Sequence, residues 1–140
     1  MEIQEIVSTL RQADGRFPSA AIEEAVARRE EIVPALLEIL EGVERDPQPY
    51  LADPKRMEHI YAMFLLAQFR ETRAYPLLVR IFSAPAEISH DLTGDIAAIY
   101  LGRILASVSD GEIDGITSLI ENKQADEYVR SSALSGLLTW

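Results

Sequence analysis

The sequence predicts an all-α fold of stacked antiparallel helix hairpins, and three observations predict it. Apolar residues recur at helical spacing along the chain, as at Ile3, Ile6, Val7 and Leu10, which is the stripe of an amphipathic helix. No six-residue window alternates cleanly between apolar and polar, and no Asn-Gly-type turn joins two β-rich runs, so strands have no support. The links between apolar-periodic segments are a few residues long, which makes neighbouring helices antiparallel. The chain has 140 residues, 48% hydrophobic and 26% charged. It is read as a single domain over 1–140, large enough to build a core without a covalent staple.

The elements follow in order. The first helix carries the stripe from Ile3 to Leu10. Ser19, after Phe17-Pro18, is placed to cap a short helix over 20–28. A second apolar-periodic stretch contains Ile32, Ala35, Leu36, Ile39, Leu40 and Val43, with Pro34 in its first turn, where a missing N–H costs little. Three prolines within 46–54 mark a loop, and Asp53-Pro54 supplies a cap and an N1 proline for the next helix, 55–70. That helix is apolar on most of its circumference (Met57, Ile60, Tyr61, Phe64, Leu65) and is expected between two neighbours. After a break at Glu71-Thr72, a helix over 73–82 carries Pro76 in its first turn.

Residues 83–87 read as a loop, and Leu92-Thr-Gly-Asp opens another broadly apolar helix over 96–108. Ser109-Asp-Gly-Glu112 fits a capping box starting a helix over 113–121. Asp126 caps the last helix, 127–139. Its Leu134, Leu137, Leu138 and Trp140 lack a following helix to cover them. The chain is therefore expected to be the N-terminal part of a longer protein, or to meet a second subunit as a homodimer through this helix. A terminal Trp folded back on its own core is the remaining option.

Superposing the chain on itself gives a repeat of about 36 residues, two helices per unit. Ala62, Ala98 and Leu134 align, as do Leu65, Leu101 and Leu137; Phe64 aligns with Tyr100, and Leu66 with Gly102 and Leu138. The small residues at 62, 98 and 102 suit close helix approach. Such a period describes an α-α superhelix, a solenoid of stacked hairpins.

The segments Arg70-Glu-Thr-Arg-Ala-Tyr-Pro-Leu-Leu78 and Tyr128-Val-Arg, continuing through Ala133-Leu134 to Leu137, resemble HEAT-like repeats of the bacterial lyase type. The resemblance covers about 18–140. The whole chain also resembles the N-terminal part of a bacterial domain-of-unknown-function family built on HEAT-like hairpins. The resemblance implies the fold and supplies no activity.

Composition removes several functions. There is no cysteine, hence no disulfide scaffold, thiolate metal site or Cys nucleophile. A net charge of −10 and a pI near 4.6 oppose binding to nucleic acid and to an anionic membrane. The N-terminus lacks a basic segment followed by an apolar one, and the longest apolar run, 60–67, is far too short for a membrane span. A cytoplasmic location is expected. Phosphate-binding loops and the common hydrolase and zinc-protease motifs are absent, so no catalytic residue and no cofactor are assigned.

Three sets of residues remain. Glu58, His59, His90, Asp91 and Asp95 fall near the starts of two successive broad helices, as carboxylates and imidazoles must if helices are to build a metal site. Deoxyhypusine hydroxylase, a HEAT-like enzyme family, holds two irons with His-Glu pairs at such positions. Here the order is Glu-His, and Asp95 stands where a histidine would. The structural alternative makes the histidines capping or edge residues. The second set is acidic: the first fifty residues hold eleven acids against five bases, and Glu38 and Glu41 share one helix face where a basic partner could dock. The third set is Tyr61, Tyr100 and Arg103, which on the inner face of a solenoid would grip a peptide. A non-catalytic module binding a protein or peptide is the expected function, with a metal-binding protein or metalloenzyme as the alternative.

Overall fold

The computed structural model describes residues 2–11, 18–53, 56–93 and 95–139, with the side chains of residues 86, 90, 95–98 and 139 outside that description. Among the described residues there is no strand. The helices are α1 (Ile3–Arg11), α2 (Ser19–Ala27), α3 (Arg29–Arg45), α4 (Gln48–Ala52), α5 (Glu58–Gln68), α6 (Ala74–Phe82), α7 (Ala86–Thr93), α8 (Asp95–Ser109), α9 (Asp114–Glu121) and α10 (Glu127–Thr139).

The longer helices form two rows. In one, α5 packs on α1, then α8 on α5, then α10 on α8. In the other, α3 packs on α6 and α6 on α9. The rows meet where α3 lies on α5, α6 on α8 and α9 on α10. Between them runs one apolar cluster, from Ile6 and Leu10 through Leu36, Leu66, Leu78, Phe82, Leu101 and Leu119 to Ala133. Each of these side chains leaves water on folding, worth roughly 1.5–3 kcal/mol for a large aliphatic or aromatic group.

Two hairpin turns repeat. After α5, the Glu71 N–H donates back to the Leu66 carbonyl and the Arg70 N–H to that of Ala67, both at 3.0 Å. These are the paired bonds of a Schellman motif, and they require a left-handed residue. Arg70 fills that position, at φ 53°. After α8 the left-handed positions fall on Asp110 (φ 51°) and Gly111 (φ 86°).

The closest helix approach joins α8 to α10. A Cβ on Gly102 would stand 2.2 Å from the Ser132 carbonyl oxygen, and one on Gly136 would stand 2.4 Å from that of Gly102. The Gly102 N–H donates to the Ser132 hydroxyl at 2.9 Å. The close approach expected at Gly102 is therefore present, but its partner is Gly136.

Several expected boundaries are corrected. Pro18, not Ser19, stands at the start of α2, with no side-chain cap. A break at Arg28 separates α2 from α3, which begins at Arg29, so Pro34 lies inside the helix. It removes the bond its N–H would give the Glu30 carbonyl, and both residues are exposed, so water can serve that oxygen. The expected loop over 46–54 contains α4, whose prolines sit at its start, where a ring is tolerated. α5 starts at Glu58, with Arg56 and Met57 non-helical; the expected Pro54 and Lys55 lie outside the described residues. The loop at 83–87 gives way to α7 from Ala86. The capping box does not form. Ser109 ends α8 and donates to the Ala106 carbonyl, while Glu112 accepts from the Asp114 N–H. The cap at Asp126 does form, its carboxylate accepting from the Tyr128 N–H at 2.7 Å.

Candidate functional site

The start of α5 is a buried polar cluster. Glu58 is 1% exposed and His59 3%. One Glu58 oxygen accepts from Arg56 Nε at 2.8 Å; the other accepts from Arg56 Nη2 at 3.3 Å and from Arg11 Nε. The Arg56 guanidinium lies over the Tyr50 ring, 4.2 Å from its centre. Tyr50 in turn meets His59 edge-on at 4.9 Å. His59 Nε2 is 2.6 Å from the Leu92 carbonyl oxygen. Nε2 therefore carries the proton and donates it, and Nδ1 is left with a buried lone pair and no partner. Through these contacts one turn of α5 is tied to α1, α4 and α7.

The electrostatics follow from burial and partners. Burial alone would push the Glu58 carboxyl up, but the hydrogen bonds and charges of Arg56 and Arg11 outweigh it and hold the group below its usual range. Burial drives His59 below its usual value, and the Leu92 carbonyl and the Glu58 charge only partly oppose that. Burial also raises Tyr50, with Glu58 adding to the shift. An ionised Glu58 and a neutral His59 at pH 7 follow.

This arrangement braces the fold. Both Glu58 oxygens are engaged by arginines, so the carboxylate presents no open coordination position. Of the other expected metal ligands, Asp91 is exposed, and the side chains of His90 and Asp95 lie outside the described residues. Among the described residues no three His, Asp or Glu side chains are grouped as a metal ion would need. The reading of His59 as an edge residue is overturned by its burial. Tyr50, Arg11 and Arg56 were not anticipated. Arg11 lies 47 residues from Glu58, and spacing carries no signal over that separation.

Beside the cluster an open apolar groove of about 520 Å³ runs over α5. It is lined by Ile22 of α2, by Met57, Ile60, Tyr61, Phe64, Leu65 and Gln68 on and before α5, and by Tyr100 of α8. Phe64 and Tyr100 meet edge to face at 5.4 Å, an attractive aromatic geometry. α5 was expected between two neighbours and packs on α1, α3 and α8, but α2 and α8 part over Tyr61 and Phe64 and leave this face open.

The structure thus brings together Tyr61 and Tyr100 of the expected peptide-binding set. Arg103 is exposed one turn further along α8, in a separate cleft of about 270 Å³ shared with Ser131 and Ser135 of α10. Glu38 and Glu41 are exposed on α3, in the other row, and neither lines the groove. The available signal for the groove was the absence of any charge from Ile60 to Phe69.

No helix among the described residues is long and apolar enough to cross a membrane. The model of a protein family described as "Protein of unknown function (DUF1186)" matches residues 1–140. An uncharacterized protein of Chlamydia muridarum is 42% identical over 139 residues, 99% of this chain and 55% of its own length. One of Chlamydia trachomatis is 42% identical over 138 residues, with the same coverage. The chain therefore spans about half the length of these curated relatives. No solved structure matches it.

Proposed function

The chain belongs to the DUF1186 family, and we propose that it is a non-catalytic helical-repeat domain of the cytoplasm that binds an apolar segment of another polypeptide in the groove over α5. The observation that carries the reading is the groove itself. Seven of its eight lining residues are apolar or aromatic, and Tyr61, Phe64 and Tyr100 form its centre. Solvent-facing aromatics in a concave apolar surface are the usual anchors for a partner's side chains. The two-row packing supports the HEAT-like reading, because hairpins stacked in register leave extended grooves along one face. The net charge of −10 favours a partner segment whose flanks are basic, since charge complementarity speeds encounter.

Selection of displayed peptides on the wild-type chain tests this. The enriched peptides are expected to carry apolar anchors at helical spacing, and to lose at least about tenfold in affinity for Phe64→Glu and Tyr100→Ala, the loss of one interface anchor. The double variant Glu38→Lys, Glu41→Lys should bind them as the wild type does. Retained circular dichroism of each variant confirms that the fold survives. No enrichment, or equal binding to the groove variants, contradicts the proposal.

A further inference from the structure

The open face of α10 presents a second unfilled surface. α8, the helix before it in the row, has α5 on one side and α10 on the other. α10 has α8 and α9 on its inner side, where Val129, Ser132, Ala133 and Gly136 are buried. The opposite side shows Tyr128 at 63% exposure, Leu134 at 46% and Leu138 at 78%. Ser131 and Ser135, also exposed, lie between them on the flank that borders the Arg103 cleft. At 3.6 residues per turn these five positions fall on one stripe. Glu127, exposed in the first turn of α10, is the one charge on this arc, and the rest of the stripe is uncharged although the chain as a whole carries −10. Large side chains alternating with small ones make ridges and gaps, and a helix can seat in them.

We propose that this face is covered by a helix from the portion of the family's longer chains that the present 140 residues do not span, packed on α10 as α10 packs on α8. Two observations select that occupant. The chlamydial relatives are 42% identical over almost all of this chain, yet it accounts for only 55% of their length. Those relatives therefore carry substantial further polypeptide on the same molecule. A second copy is a poorer fit, since it would bring two chains of −10 together. The proposal is independent of the groove, which lies over α5.

The chain has no cysteine, so a single introduced thiol reports its own surroundings. Leu138→Cys in this chain, and cysteine at the aligned position of the full-length Chlamydia trachomatis protein, are labelled with a maleimide and located by peptide mapping. Ser118→Cys on α9 and its aligned counterpart serve as exposed references. The expected result is fast labelling here, and labelling slower by at least about tenfold in the full-length protein, as a covered position opens only transiently. Equal rates in the two chains, relative to the reference, overturn the proposal. Slow labelling in the 140-residue chain with a dimer mass by light scattering also overturns it, because a second copy then fills the face.

Discussion

The start of α5 and the contact between α8 and α10 hold the same row of helices by opposite means. At the start of α5, Glu58 and His59 are buried and held by directional bonds to Arg11, Arg56 and the Leu92 carbonyl. Between α8 and α10 two glycines let the backbones touch, with one hydrogen bond from the Gly102 N–H to the Ser132 hydroxyl beside them. The first region depends on every partner being present and correctly protonated. The second depends on an atom being absent. The groove lies between them in sequence and in space, with Met57 next to Glu58 of the polar cluster and Tyr100 two residues before Gly102.

The largest effect should come from filling the glycine contact. Gly136→Val places side-chain atoms where a Cβ already stands 2.4 Å from a carbonyl oxygen. Backbone cannot swing aside as a flexible side chain does, and urea unfolding should show a loss of about 3 kcal/mol or more. A loss below about 1 kcal/mol would mean that the helices are further apart than described.

Breaking the polar cluster comes next. Glu58→Ala leaves the two arginines facing each other without their shared acceptor. Arg11 is half exposed and can turn to water, so the cost should be about 2 kcal/mol, less than for a fully buried pair. The variant Gly136→Val with Glu58→Ala should be additive, since the sites share no partner.

Acid separates the two regions. His59 in the fold lies below its ordinary value of 6.5, so its contribution is complete above that pH and is lost as pH falls below it, when the unfolded chain takes up the proton first. Glu58 is also lowered, from 4.5, so its contribution holds until pH falls below that value. The urea midpoint of the wild type should drop between pH of about 7.5 and 5.5, and that of His59→Phe should stay flat there. An equal drop in both proteins would remove His59 as the source.

Smaller effects bound the comparison. The Tyr75 hydroxyl accepts from the Ile116 N–H at 3.1 Å and ties α6 to α9. Burial raises its pKa to about 12. Tyr75→Phe should cost about 1 kcal/mol, one buried hydrogen bond. Arg80→Ala removes only a surface contact to Glu44 at 2.8 Å and should change stability by less than about 0.5 kcal/mol.

The helical class and most of the long helices were legible because their apolar residues repeat at 3.6 and Asp126 caps where it should. α4 and α7 were not, because short helices opened by Pro47 and Pro85 look like proline-rich links. The polar cluster was half legible. Glu58 and His59 stood out as residue types, but their burial depends on Arg11 and Leu92, which only the tertiary fold brings near. Phe64 and Tyr100, aligned one repeat apart, touch, whereas the placing of Tyr61 and Tyr100 along one groove comes from the fold. The solvent-facing side of α5 did not follow, because a continuous apolar run says nothing about which part a neighbour fails to reach.

Chemical-shift mapping on the isotope-labelled chain, titrated with a groove-selected peptide, tests the central claim most directly. The account predicts that the perturbed amides cluster at Ile22, Tyr61, Phe64, Leu65 and Tyr100, with those of Leu134 and Leu138 unmoved. Perturbations centred on α10 or on Glu38 and Glu41, with the groove amides unchanged, would contradict it.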